Sequence, residues 1–137
     1  MKLVLDANIL ISALLGSRRT IGLIRMGQHT LYAPRKIVDE VIKYAADICE
    51  KSEQTRDEFN DTLAALLVFV NVVPPEKYAQ NLDRARSLLE KRDANDAEYL
   101  ALAFAIQADA VWTNDKDFTV QTDIRILSTN ALLAETD

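Results

Sequence analysis

Acidic side chains in this chain fall where strand-like and helix-like segments begin or end. Asp6 closes the run Lys2-Leu3-Val4-Leu5, and Asp115 follows Ala110-Val111-Trp112-Thr113 by two residues. Glu40 lies in Ile37-Val38-Asp39-Glu40-Val41-Ile42, and Asp96 opens Asp96-Ala97-Glu98-Tyr99-Leu100-Ala101-Leu102-Ala103. Carboxylates gathered at one place repel one another, and divalent cations held between them remove that repulsion. Oxygen-only donors suit Mg²⁺ or Mn²⁺. With one cysteine, Cys49, and one histidine, His29, a Cys/His zinc site is excluded.

Each residue also has a plainer reading. Asp6 beside Ala7 and Asn8 fits the N-cap of a helix, and Asn8 could orient Asp6 or a bound water. Glu40 occupies a polar position of an amphipathic helix, where a solvated face is the simpler explanation. Asp39 points roughly 100° away around that helix, so one of the two faces any pocket. Asp96 stands at the amino end of a helix, where the dipole favours negative charge, while Asp93 or Asn95 could act as the cap. Glu98 reads as an exposed first-turn acid. In Thr113-Asn114-Asp115-Lys116-Asp117-Phe118, Asp115 is better placed than Asp117, which could bond loop amides. Thr113 could bind a phosphate or orient a water.

The segments that must position these groups alternate in type. Leu3-Val4-Leu5 reads as a buried strand, followed by helices over Asn8–Leu15, ending near Gly16, and Arg18–Met26. Thr30–Ala33 is a short strand. Ile37, Val38, Val41, Ile42 and Ala45 recur at helical spacing in one helix from Arg35 to about Glu50. Ser52 is a candidate cap for the next helix, with Glu53 near its start, running to about Leu67. Val68–Val73 is β-branched and stops at Pro74-Pro75. Helices over Tyr78–Lys91 and Asp96–Gln107, strands at Ala110–Thr113 and Ile124–Leu127, and a closing helix at Asn130–Glu135 complete the pattern. Strands separated by helices predict an α/β fold: three layers, α/β/α, around a mainly parallel central sheet of about five strands. Ligands of such sheets sit beyond the carboxyl ends of the strands, where Asp6 and Asp115 fall.

The chain's 137 residues fit one domain, 1–137, able to bury a core without disulfides. The amino terminus meets an acid after three apolar residues, unlike a signal peptide, and the longest apolar run, Leu63–Val70, is too short to span a bilayer. No membrane association and a cytoplasmic location are therefore expected. A net charge of −5 speaks against a broad phosphate-binding surface, an objection that weakens if several acids bind cations. Basic residues cluster at Arg18, Arg19 and Arg25, at Arg35, Lys36 and Lys43, and at Arg84, Arg86, Lys91 and Arg92. They could flank an acidic pocket or simply solvate the surface.

An acid after strand one, an acid in a helix, an acid opening a later helix and an acid after the fourth strand form an ordered pattern. It resembles that of the PIN-domain nucleases, whose fold is shared with 5′-nucleases. Val4-Leu5-Asp6-Ala7-Asn8-Ile9-Leu10-Ile11-Ser12-Ala13, Asp96 to Ala103 and Trp112 to Phe118 carry the resemblance, which spans nearly the whole chain. By that resemblance Asp6, Glu40, Asp96 and Asp115 correspond to the catalytic, metal-binding quartet. Asp117 is a further metal-site residue, Asn8 and Thr113 are accessory, and Asp93 resembles an extra acid before the third site. The implied activity is Mg²⁺- or Mn²⁺-dependent hydrolysis of RNA. Many small members are toxins of toxin–antitoxin pairs, often called VapC-type, which dimerise and are silenced by a small antitoxin; others process RNA without one. A homodimer interface would draw on apolar positions between Ser52 and Leu89.

Three other readings remain open. A haloacid-dehalogenase-type phosphatase also carries an Asp after strand one, but it needs a second Asp where Asn8 stands. A non-catalytic RNA- or protein-binding module would have little use for four acids. A receiver-like domain lacks a convincing phosphoacceptor Asp and late Lys.

Overall fold

The computed structural model describes residues 1–90 and 96–135. Five parallel strands form one sheet in the order β3-β2-β1-β4-β5: β1 (Lys2–Leu5), β2 (Thr30–Pro34), β3 (Val70–Val73), β4 (Ala110–Trp112) and β5 (Ile126–Leu127). The expected parallel α/β architecture is borne out. β1 lies at the centre, and Leu3, Val4 and Leu5 are wholly buried, as a strand covered on both faces requires.

The chain leaves β1 toward β2 and β3, then returns to add β4 and β5 on the other side. The strand order therefore reverses between β1 and β4. Leu5 pairs with Trp112, and the Asp6 amide donates to the Trp112 carbonyl at 3.1 Å, so the ends of these two strands are locked together. Crossovers in such sheets are right-handed. Helices α1 (Ala7–Leu14), α2 (Arg18–Arg25), α3 (Lys36–Lys43), α4 (Ala45–Ser52) and α5 (Arg56–Leu67) accordingly cover one face. Helices α6 (Leu82–Leu88) and α7 (Asp96–Ile106) cover the other, with α7 packed on β1, β2 and β4. Its small residues Ala97, Ala101 and Ala103 are buried at that contact, while α8 (Thr129–Glu135) closes the chain beside α2.

Several element boundaries differ from the sequence expectation. The single helix from Arg35 to Glu50 is two, because the backbone at Tyr44 leaves helical geometry at φ −100°, ψ 10°. The next helix is capped by Thr55, not Ser52. Thr55 accepts from the Glu58 amide while the Glu58 carboxylate accepts from the Thr55 amide, a reciprocal pair at 3.1 and 2.9 Å. Ser52 instead donates back to the Ile48 carbonyl in the last turn of α4. Tyr78 to Leu88 is not one helix: 3₁₀ turns at Pro75–Lys77 and Ala79–Asn81 precede a shorter α6. A further 3₁₀ turn, Lys116–Val120, follows β4. Among the described residues no helix is long and apolar enough to cross a membrane.

Candidate active site

Asp6 follows β1, and Thr113 and Asp115 follow β4, at the point where the strand order reverses. A ligand of a doubly wound sheet is expected there. The fold buries few polar residues, and Asp6, Thr113 and Asp96 are three of them, at 4%, 1% and 9% exposure. Asp6 holds the N-cap position of α1, yet its carboxylate makes no capping hydrogen bond. Instead the Thr113 hydroxyl donates to Asp6 Oδ2 at 2.8 Å and accepts from the Asp115 amide at 3.0 Å. The Asp117 amide donates to Asp115 Oδ1 at 2.9 Å, tightening the loop into its 3₁₀ turn. Two strand ends thus present Asp6 and Asp115 side by side through one shared threonine.

Glu40 arrives from α3. Its neighbour Asp39 is exposed while Glu40 is half-buried, so the helix turns Glu40 inward. The buried Tyr99 hydroxyl donates to Glu40 Oε2 at 2.9 Å. Oε1 is also buried and receives no hydrogen bond among the described residues, although the Lys36 ammonium lies 3.1 Å away. Asp96, the first residue of α7, sits one helical turn before Tyr99. Burial drives the Tyr99 phenol pKa far upward, with the charge of Glu40 and its hydrogen bond next, then the charges of Asp6 and Asp96. Asp6, Glu40 and Asp96 therefore all act electrostatically on the Tyr99 phenol.

Asp6 itself is pushed from 3.8 up to about 6. Burial is the main cause; Asp115 and Glu40 add repulsion, and the Thr113 hydroxyl and Ala7 amide offset part of it. A carboxyl pKa raised chiefly by burial, with like charges adding to it, marks a candidate functional position. A divalent cation fits this donor set: the groups are all oxygens, one buried Glu40 oxygen receives no hydrogen bond among the described residues, and the like charges of Asp115 and Glu40 at Asp6 have the sign a cation corrects. Among the described residues no three acids, histidines or cysteines already stand close enough to hold an ion. The Thr113 hydroxyl is bonded to the Asp6 carboxylate and the Tyr99 hydroxyl to that of Glu40.

Of the other residues singled out in the sequence, Asn8 is exposed on α1 and lines a shallow groove with Leu15 and Tyr44. Asp117 is exposed, and its backbone amide ties it to Asp115. Asp93 lies outside the described residues. Glu98 is not the exposed acid its position suggested: it accepts from the Tyr78 hydroxyl at 2.6 Å and pairs with Lys36 at 3.0 Å.

The sequence offered Lys36 only as part of a basic cluster that could flank the pocket, and gave no role to Tyr78 or Tyr99. The i, i+4 spacing of Lys36 and Glu40 was a visible signal for one of them. The aromatic pair was hidden because Tyr reads as core, and each ring is core with only its hydroxyl in the site. Asn114 is structural: it accepts from the Thr129 amide and donates to the Thr129 hydroxyl, tying the loop to α8.

No curated protein sequence matches the chain significantly. Solved structures share the fold at low identity. VapBC2 from Rickettsia felis, solved with a fragment of its promoter DNA, is 16% identical with a TM-score of 0.73, covering 93% of this chain and 98% of that one. A toxin–antitoxin complex from Klebsiella pneumoniae is 19% identical at 0.69, covering 93% and 97%. VapBC-1 from nontypeable Haemophilus influenzae is 24% identical at 0.70, covering 95% and 99%. Such identities speak for the fold alone. The PIN-domain family model matches residues 4–135, nearly the whole chain, and the chain belongs to the PIN-domain family.

Proposed function

We propose that this PIN-domain chain is a Mg²⁺- or Mn²⁺-dependent ribonuclease hydrolysing RNA phosphodiester bonds, and that it is the toxin of a toxin–antitoxin pair. What supports the reading is the placing of Asp6 and Asp115 beyond the ends of β1 and β4, where Asp115 and Glu40 act electrostatically on Asp6, and Glu40, Asp6 and Asp96 on Tyr99. Asp6, Glu40, Asp96 and Asp115 would hold the cation. Bound there, a divalent ion supplies charge neutralisation at the scissile phosphate and a more acidic water. Thr113 orients Asp6 and fixes the loop that carries Asp115, and Tyr99 orients Glu40. Asp117 and Asn8 are accessory groups in this reading. Arg35 and Arg86 lie near enough to act electrostatically on Tyr78 and Glu98, so the acidic crevice has basic edges suited to an RNA backbone despite the net charge of −5.

The toxin assignment draws on likeness to structures described as VapBC and toxin–antitoxin complexes, and a small antitoxin placing a basic group among these acids is electrostatically sound. A homodimer belongs to the same reading. In α5 the apolar residues Phe59, Leu63 and Leu66 are core, so its apolar contribution would come from Val68, Phe69 and Val72 where α5 passes into β3. The reading is tested with purified protein on single-stranded RNA and DNA of matched sequence. RNA cleavage is expected with Mg²⁺ or Mn²⁺, with loss by at least about a hundredfold in Asp6→Asn and Asp96→Asn, the scale seen when a group stabilising transition-state charge is removed. Cleavage that persists in EDTA, or in both variants, would reject it.

A further inference from the structure

Beside the four acids lies a second charged network that the metal-site reading does not use. The Lys36 ammonium stands between two carboxylates, 3.1 Å from Glu40 Oε1 and 3.0 Å from Glu98 Oε2. The side chain is 17% exposed and passes 5.9 Å from the centre of the Tyr99 ring. Glu98 is anchored by the buried Tyr78 hydroxyl at its other oxygen, 2.6 Å away. Glu40 is anchored by Tyr99 at its other oxygen, 2.9 Å away. Each carboxylate therefore has one oxygen fixed by a tyrosine and one turned toward the same lysine.

The two lysine contacts differ. Glu98 is held both by charge and by hydrogen bonds, which keep its carboxyl below the ordinary range although burial alone would raise it. Glu40 Oε1 faces Lys36 without a hydrogen bond, the looser of the two pairings. That oxygen is buried, and it is the Glu40 oxygen that Tyr99 does not engage. An ammonium at 3.1 Å from it competes with any such cation for the same negative charge.

We propose that Lys36, Glu98 and Tyr78 form a positioning relay that sets the divalent-cation affinity of the site, with Lys36 as an internal competitor at Glu40 Oε1 and Glu98 as the acid that draws Lys36 away. The inference rests on the reading of the four acids as a metal centre. Lys36 keeps Glu40 charge-compensated when no cation is bound, and Glu98 prevents that compensation from closing the site. Tyr78 holds Glu98 in the orientation that shares the lysine. None of the three touches substrate in this scheme; they act through Glu40.

Opposite signs separate this from a merely structural role. Lys36→Met removes the competitor while Tyr99 still fixes Glu40, so Mn²⁺ should bind tighter. Glu98→Gln leaves Lys36 to Glu40 alone, so Mn²⁺ should bind more weakly. Each effect is expected at about two- to fivefold in Kd, the range of a partly exposed charge pair. Because Glu98 acts through Lys36, Glu98→Gln should have no further effect in a Lys36→Met background. Lys36→Arg, which keeps the charge, should stay within about twofold of wild type and serves if the Met variant does not fold. The measurement is Mn²⁺ titration of the purified full chain by electron paramagnetic resonance, with melting of the metal-free proteins as the folding control. Both single variants weakening Mn²⁺ alike, or Glu98→Gln keeping its effect without Lys36, would overturn the relay. Unchanged affinity in every variant would do the same and leave the metal site standing. A wild-type chain that binds no Mn²⁺ would overturn the metal site, and the relay with it.

Discussion

Asp6 carries its charge in a setting that favours the neutral form. Its pKa is about 6 in the folded chain against 3.8 for an ordinary aspartate, so the folded state binds the proton more tightly than the unfolded state does. Below about pH 4 both states are protonated and Asp6 contributes nothing. As pH rises toward 6 the unfolded chain ionises first, and stability is lost across that window. The loss is the reverse of what a salt-bridged carboxylate gives. With the side chain 4% exposed and a shift of a little over two units, it amounts to roughly 3 kcal/mol above pH 6. Asp6→Asn keeps an acceptor for the Thr113 hydroxyl and has no charge to bury. The metal-free variant should therefore be more stable than wild type by about 1 to 3 kcal/mol at pH 7, converging with it near pH 4. Urea denaturation at the two pH values measures this, and a variant less stable at pH 7 would show that burial is not what raises Asp6.

The elements were legible in proportion to how local their signals are. Leu3-Val4-Leu5 between a turn and an acid announces a buried strand, and Gly16 at φ 98° ends α1 where the apolar pattern stops. The break at Tyr44 was not visible because Val41, Ala45 and Ile48 keep helical spacing across it, so both α3 and α4 bury the faces one continuous helix would have buried. The cap of α5 was misplaced because Ser52, Thr55 and their following acids all offer the same chemistry. Tertiary packing selected Thr55, whose N3 residue is Glu58. Placement of Asp6 and Asp115 was legible because strand ends in a parallel sheet share one rim, and the β1/β4 pairing follows from the reversal of order. The Lys36–Glu98–Tyr78 network joins α3 to α7, a long-range contact that periodicity does not carry. Because α5 lies away from the acids, its cap offers a control. Thr55→Ala should cost about 1 kcal/mol through loss of the reciprocal cap while leaving Mn²⁺ affinity unchanged, with thermal melting and metal titration as the two measurements.

At the scale of the whole molecule, the chain accepts local repulsion at one end of its sheet in a protein that already carries net charge −5. Part of the surplus lies at the crevice, where Asp6 and Asp96 are buried, Glu40 and Asp115 half-buried, and Lys36 and Arg86 offset some of the charge. Self-repulsion of this kind lowers stability, and an ion that binds only the folded state returns it. Free Mn²⁺ at about a hundred times its Kd should therefore stabilise the wild type by about 2.7 kcal/mol, about 10 °C in Tm for a chain of this length. Ca²⁺-free and Mg²⁺-free protein with EDTA sets the baseline. Asp6→Asn should start from a higher baseline yet gain little from Mn²⁺, so the two melting curves cross as metal is added. The gain should also shrink as pH falls from 7.5 to 5.5, because protonation of Asp6 near pH 6 competes with the ion for the same oxygens. Thr55→Ala starts from a lower baseline and should show the full Mn²⁺ gain, which separates a lost ligand from a weakened scaffold. An equal Mn²⁺ shift in Asp6→Asn and wild type would mean that the ion binds somewhere other than the end of β1 and β4.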